Sequence, residues 1–262
     1  MADFSGKTVL ITGAAGGIGQ VITRNFVSKG ASAALIDRDE KVADFTKSLR
    51  DEGFSAAASV ADIESAEQVS ASFDELRGAL GPIHILVNNA GMSSASNLET
   101  TTPDGWSRDI GSNLNGTYHC TANALDDMKA AGEGAIVTIG SVNGSTSLGD
   151  PAYSAAKAGM ISYTKSLAME YGRFGIRANM VSPGTVRTPI WDHRVKREPG
   201  IFEKLIKWYP LRRVAEPQDI ANAVVFLASS EAAAITGANL PVDCGLAAGN
   251  IVMTREITQL EF

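Results

Sequence analysis

Seven short apolar runs, at 8–12, 32–37, 55–60, 83–88, 135–139, 177–182 and 239–242, alternate along the chain with stretches of helical periodicity. Inside each run the apolar residues are nearly continuous, as in Val9-Leu10-Ile11 or Ala33-Ala34-Leu35-Ile36. A strand with one wet face alternates polar and apolar residues, whereas a strand covered on both faces does not. Strands of that kind belong to a parallel sheet, and parallel neighbours need long crossovers, which the helical stretches 18–29, 66–80, 106–130, 153–171 and 217–229 can supply. Gly30, Gly132 and Gly172 fall near helix ends, where a left-handed cap is wanted. No Ser/Pro-rich linker or internal repeat divides the 262 residues, and the 44% hydrophobic content is enough for a full core. The expectation is one α/β domain over residues 1–262, with a doubly wound, mostly parallel seven-stranded sheet and helices on both faces.

One segment breaks the rhythm. Residues 184–216 carry Pro189, Pro199 and Pro210, with Trp191, His193, Phe202, Trp208 and Tyr209 among charges. A long aromatic insertion after a strand reads as a substrate loop or lid, or else as a surface excursion that packs on a neighbouring subunit.

Charge and cysteine content narrow the function classes. The net charge of −6 is spread along the chain, and the basic stretch at 194–197 is too short for a nucleic-acid footprint. Cys120 and Cys244, far apart among small or apolar residues, are expected to be buried reduced thiols. The start of the sequence shows no positive n-region with an apolar h-region, and no apolar run approaches a membrane span. The expected setting is cytoplasmic, with a small-molecule substrate and neither nucleic acid nor membrane as a partner.

Thr12-Gly13-Ala14-Ala15-Gly16-Gly17-Ile18-Gly19 follows the first strand and opens the first helix. Glycines there let backbone approach a pyrophosphate, and the helix N-terminus adds a favourable dipole. The turn residues Gly13, Ala15, Gly16, Gly17, Ile18 and Gly19 are therefore candidate cofactor contacts. Asp37, closing the second strand, stands where an acid accepts adenosine ribose hydroxyls. Its carboxylate would repel a 2′-phosphate, so NAD is expected ahead of NADP, with Arg38 beside it as the counter-argument. Asp62 and Ile63 after the third strand, and Asn89, Ala90 and Gly91 after the fourth, lie at carboxyl ends of strands, where open α/β sheets bind ligands.

Tyr153 and Lys157 are one helical turn apart and share a face. A phenol is a poor acid-base catalyst at neutral pH unless a fixed cation stabilises its phenolate, and Lys157 can supply that cation. Most Tyr/Lys pairs at this spacing merely pack and solvate. A nucleotide site in the same chain gives this pair chemistry to perform. His84, His119 and His193 form no spaced ligand cluster, so no metal is expected.

Taken together, Thr12 to Gly19, Asn88-Asn89-Ala90-Gly91, Asn113 in Ser112-Asn113-Leu114-Asn115-Gly116, Ser141, Tyr153 with Lys157, and Pro183-Gly184-Thr185-Val186-Arg187-Thr188 resemble the short-chain dehydrogenase/reductase family over nearly the whole chain. The likeness is to its compact Rossmann-type members, in the 3-oxoacyl-carrier-protein-reductase-like branch. The resemblance implies that Tyr153 is the general acid/base and that Ser141 orients the substrate oxygen. Lys157 would hold the nicotinamide ribose and lower the Tyr153 pKa. Asn113 would interrupt its helix and hold a relay water. Pro183, Gly184, Val186 and Thr188 would meet the nicotinamide end of the cofactor. The family also implies a homotetramer or homodimer, to which the apolar helices at 155–168 and 221–228 and the tail at 249–262 could contribute.

For substrate contacts the sequence offers Ser141, Asn143, Tyr153, Trp191 and His193, with Ser93, Ser94, Val142 and Gly184 nearby. Asn143 and His193 suit hydroxyl groups, whereas Trp191 and Trp208 would equally cover an apolar alcohol. The expected activity is interconversion of a secondary alcohol and a ketone, with NAD-linked oxidation of a polyol, sugar or hydroxy acid preferred. A ketone or 3-oxoacyl reductase remains open, as does a non-catalytic dinucleotide-sensing protein.

Overall fold

A computed structural model describes residues 2–260. Seven strands form one sheet: β1 (Thr8–Thr12), β2 (Ser32–Asp37), β3 (Ala56–Val60), β4 (Ile85–Asn88), β5 (Gly134–Ile139), β6 (Ile176–Pro183) and β7 (Asn239–Val242). Their order is β3-β2-β1-β4-β5-β6-β7, and every pair is parallel. Between them run α1 (Gly17–Val27), α2 (Lys41–Asp51), α3 (Ala66–Leu80), α4 (Pro103–Ile110), α5 (Gly116–Ala131) and α6 (Pro151–Tyr171). After β6 come α7 (Asp192–Arg197), α8 (Ile201–Leu205), α9 (Pro217–Ala228) and α10 (Ile251–Thr258).

The pleat explains the continuous apolar runs. Val9 and Ile11 of β1 face one core with Ile22 and Phe26 of α1 and Val224 of α9, while Leu10 faces the other with Phe73 of α3 and Met128 of α5. Strands are added outward from β1 to β3 on one side and from β4 to β7 on the other, and the switch point between β1 and β4 is where such sheets bind ligands.

Gly172, expected as a left-handed cap, is right-handed at φ −54°, with Gly175 left-handed at φ 73° instead, and three further details depart from the sequence reading. A helix at 41–51, not foreseen there, covers β2 and β3, carried by buried Val42, Phe45 and Leu49. The expected helix at 106–130 is divided: α4 ends at Ile110, a π-helical turn spans Gly111–Asn115, and α5 begins at Gly116. The strand expected from residue 83 pairs from Ile85, because His84 is occupied at the strand entrance, where its Nδ1 accepts the Thr8 amide at 3.1 Å.

The insertion is closed at its neck by a parallel bridge between Val186 and Ala215. The Ala215 amide donates to Thr185 O at 3.0 Å, and the Arg187 amide donates to Ala215 O at 2.9 Å. Both cysteines are free and buried, and burial pushes the Cys120 thiol up to about 12. Among the described residues no helix is long and apolar enough to cross a membrane. The far end of the C-terminal tail, Glu261 and Phe262, lies outside the described residues.

Candidate active site

The glycine turn is fixed by β4. Thr12 Oγ1 accepts the amides of Asn89 and Ala90 at 3.1 and 3.0 Å, and the Asn89 side chain donates to the carbonyls of Thr12 and Gly13 at 2.9 and 3.0 Å. Asn89 thus clamps the turn with its amide, and Thr12, the first residue of the glycine-turn motif, is the post to which both loops are tied. Gly13 has φ +63°, and a Cβ there would fall 2.8 Å from Ala90 Cα. A Cβ on Gly19 would lie 2.2 Å from Gly13 O, so the first turn of α1 can cross its own entry loop only with glycine at this position. Gly16 caps α1 without any side-chain hydrogen bond, which leaves amides of the helix start free to bind a ligand.

Asp37 ends β2 with both carboxylate oxygens engaged: Oδ2 accepts the Ala15 amide at 2.9 Å and Oδ1 the Asp39 amide at 3.0 Å. The acid is therefore aimed at the glycine turn. The neighbouring Arg38 reaches the loop after β4, with Nη1 3.5 Å from Met92 Sδ. At the end of β3, Asp62 Oδ1 accepts the Glu64 amide at 2.9 Å, and buried Ile63 lies against Gly116, where a Cβ would come within 2.5 Å of Ile63 Cδ1.

Farther along the crevice, Ser141 leaves β5 and Tyr153 with Lys157 project from α6. Lys157 is 2% exposed; its Nζ donates to Ile139 O at 2.8 Å and lies 5.3 Å from the centre of the Tyr153 ring. Burial alone lowers the Lys157 ammonium to about 7. Burial also raises the Tyr153 phenol above its usual range, against which a hydrogen bond with Ser141 works; the Asp150 charge adds to the rise. Ser141 Oγ accepts the Asn143 amide at 3.2 Å, which turns the loop toward α6. The loop is drawn close because Gly144 lies on the α6 backbone, where a Cβ would come 2.8 Å from the Lys157 carbonyl carbon.

Asn113 sits in the π-helical turn, fully buried. Its Nδ2 donates to Met92 O at 2.7 Å and Asp109 O at 2.8 Å, while Oδ1 is buried with no partner among the described residues. Gly91 brings it to the Tyr/Lys pair, since a Cβ on Gly91 would stand 2.6 Å from Asn113 Oδ1 and 3.4 Å from Lys157 Nζ. The orphaned acceptor in the widened turn gives a bound water a reason to sit there.

The other expected contacts are placed unevenly. Beyond Pro183 and Gly184, the loop returns over the nucleotide crevice: a Cβ on Gly17 would meet Pro189 Cδ at 2.8 Å and Thr188 Cβ at 3.3 Å. Val186 is buried at the neck of the insertion. Asn143 has its amide turned to Gly149 O and Ser154 Oγ, both at 3.3 Å, so it braces the loop before α6. Trp191 is half-buried against Phe202, with ring centres 5.6 Å apart and Arg194 over its face. His193 is exposed on α7.

A family model described as enoyl-(acyl carrier protein) reductase matches residues 13–247. An uncharacterized oxidoreductase of Schizosaccharomyces pombe is 43% identical over 255 residues, 96% of this chain and 95% of that protein. A crystal structure of a short-chain dehydrogenase/reductase family oxidoreductase from Burkholderia thailandensis superposes with a TM-score of 0.92 at 49% identity, covering 98% of both chains. The chain belongs to the short-chain dehydrogenase/reductase family. It is an oxidoreductase of that family, whose members use NAD(P). A gluconate 5-dehydrogenase from Burkholderia cenocepacia, solved with NADP and tartrate, is a further structural relative at TM-score 0.88 and 32% identity, covering 94% of this chain and 97% of that one.

Within this short-chain dehydrogenase/reductase the crevice fits a dinucleotide. The glycine contacts leave no room for side chains, the helix start is uncapped, and Asp37 stands beside the turn. Two parts of the site carried no signal in the sequence alone. Asp109, 1% exposed, accepts from both the amide and the hydroxyl of Ser94. Asp150 enters α6 in the left-handed region at φ 49°.

Proposed function

We propose that the protein catalyses NAD-linked oxidation of a secondary alcohol to a ketone, on a polyol, sugar or hydroxy acid, in the cytoplasm. The observation that carries this reading is the meeting of Ser141, Tyr153 and Lys157 across the crevice from a glycine turn braced by Asp37, with Asn113 joined to them through Gly91.

The amides at the start of α1 would hold the pyrophosphate, Asp37 the adenosine ribose hydroxyls, and Asp62 and Ile63 the adenine. Ala90 and Gly91 would pass under the middle of the cofactor, Lys157 would donate to the nicotinamide ribose, and Pro183, Gly184, Val186 and Thr188 would line the nicotinamide end. When bound, the cofactor supplies the hydride acceptor. Ser141 hydrogen-bonds the substrate oxygen and orients it toward the Tyr153 hydroxyl. Tyr153, as phenolate, takes the hydroxyl proton as the carbonyl forms; in the reverse direction its phenol donates that proton to the developing alkoxide. Lys157, whose ammonium burial alone holds low, would regain its proton beside a phenolate and stabilise it against the burial that raises the Tyr153 phenol, and a water on Asn113 Oδ1 would relay the proton outward.

Asp37 supports NAD because a second negative charge beside a 2′-phosphate is unfavourable. Arg38 favours the alternative of NADP or dual use, as does the NADP bound to the gluconate 5-dehydrogenase relative. A homodimer or homotetramer is supported by exposed Phe226 on α9 and Leu240 on β7, an edge strand. The test is formation of reduced nicotinamide across polyols, sugars, hydroxy acids and apolar secondary alcohols, with NAD and NADP in parallel. NAD-linked turnover of a polyhydroxy substrate supports the proposal. Cofactor binding with no turnover in either direction would favour a nucleotide sensor instead.

A further inference from the structure

An open groove of about 510 Å³ lies between the loop after β4 and the entrance of α6. Its walls include Ser93, Ser94, Ser96, Asn97, Thr100 and Asp150, and Asp150 is the only charged side chain among its lining residues. The groove adjoins the catalytic candidates from both sides. Ser93 and Ser94 follow Gly91, the residue touching Asn113 and Lys157, and Asp150, at the N-cap of α6, is near enough for its charge to bear on the Tyr153 phenol. Its two walls are tied by the Asp150 amide, which donates to Ser96 O at 3.1 Å.

Asp150 is unusual in two ways. It holds a left-handed backbone, φ 49° and ψ 66°, which costs a non-glycine residue some strain. It also occupies the N-cap of a 21-residue helix, where an Asp side chain ordinarily accepts a first-turn amide, and here it makes no such bond. Among the described residues its carboxylate has no hydrogen-bond or ion-pair partner, so it stands uncommitted at the groove.

The neighbouring hydroxyls are biased in the same sense. Ser94 Oγ donates to Asp109 Oδ1 at 2.6 Å, and Thr100 Oγ1 donates to Asn97 Oδ1 at 3.1 Å. The Ser94 proton is directed inward to buried Asp109, and the Thr100 proton is held within the groove wall by Asn97, so neither hydroxyl offers its proton to a ligand. A ligand hydroxyl can donate to the Asp150 carboxylate and to the Ser94 and Thr100 oxygens. A carboxylate brings no donor and meets the charge of half-buried Asp150.

We infer that Asp150 sets substrate choice, so that the groove accepts the uncharged, hydroxyl-rich portion of a polyol or sugar and rejects hydroxy acids. The inference rests on the proposed alcohol oxidation and narrows its substrate class.

The experiment compares kcat/KM of the full chain with NAD on paired probes of equal carbon number, D-glucitol against D-gluconate and glycerol against glycerate, for the wild type and Asp150→Asn. Asn tolerates the left-handed backbone, so the fold is kept. Any effect of the substitution on Tyr153 acidity enters both members of a pair, and their ratio isolates the charge at the groove. The expected result is a wild-type preference for the neutral member that shrinks about fivefold or more in Asp150→Asn, through a gain on the acid. A wild type that prefers the acid, or a ratio unchanged by the substitution, overturns the inference and leaves the alcohol dehydrogenase reading intact. Absence of turnover on every probe and on the wider alcohol panel removes that reading, and the inference with it.

Discussion

Replacing Lys157 by Met should abolish activity and yet stabilise the protein in acid, with the sign of the stability change reversing in base. Burial lowers the Lys157 ammonium from an ordinary 10.5 to about 7. Below pH 7 the group is protonated in both folded and unfolded chains, and the folded state carries the full penalty, roughly 5 kcal/mol at about 1.4 kcal/mol per pKa unit. Between pH 7 and 10.5 the unfolded chain holds a proton that the folded state has released, so stability rises with pH. Above 10.5 the penalty is gone. Met fills similar volume without a charge, but it leaves Ile139 O, now bonded to Nζ at 2.8 Å, without its donor, at about 1–3 kcal/mol. The net expectation for Lys157→Met is a gain of about 2 kcal/mol or more at pH 6, worth several degrees of Tm for a chain of about this size. At pH 10 that gain becomes a small loss. Urea unfolding of both proteins at the two pH values measures this directly. Equal shifts at pH 6 and pH 10, or a loss at both, would refute the claim that a buried ammonium is held at this site against its own solvation.

The other expectations concern separate parts of the site. Gly19→Ala places a Cβ 2.2 Å from Gly13 O, with only backbone to yield, so NAD affinity measured by calorimetry should fall at least tenfold while the far-ultraviolet circular dichroism is kept. Asp37→Ala removes the acceptor of the Ala15 amide along with the charge facing a 2′-phosphate. The NAD-over-NADP ratio of kcat/KM should drop by about tenfold or more, and an unchanged ratio would take Asp37 out of cofactor choice. Asn113→Ala unpairs the carbonyls of Met92 and Asp109; it should lower Tm and reduce kcat with little change in cofactor affinity, and an unaltered kcat would end its role in proton relay.

The sheet was legible because its signal is physical and local. Val9-Leu10-Ile11 is continuous because its residues feed two cores at once, and glycines at 13 and 19 are needed wherever a loop and a helix start cross at contact distance. Tyr153 and Lys157 could be paired from helical spacing alone. What stayed hidden depends on residues distant in sequence. Thr12 acquires its meaning from the amides at 89 and 90, and Ser94 from Asp109. Asp150 lies before the helix expected from 153 and gives no signal in the sequence; its backbone angle and missing cap bond set it apart. Asn143 and Trp191 attract attention as polar and aromatic loop residues, yet one braces Gly149 and the other packs on Phe202. Composition cannot separate a side chain that meets a ligand from one that shapes the loop around it. The Lys157 charge likewise escapes sequence reading, because its depression comes from burial set by the whole fold.

The central claim is that the Tyr153 hydroxyl moves the substrate proton. Tyr153→Phe removes that oxygen and retains the ring beside Lys157. Single-turnover kinetics, run beside NAD binding on the same preparation, tests it most directly. The account predicts NAD affinity within about twofold of wild type and a chemical step slowed by at least about a thousandfold. A Tyr153→Phe protein that still completes turnover at a near-normal rate would contradict it.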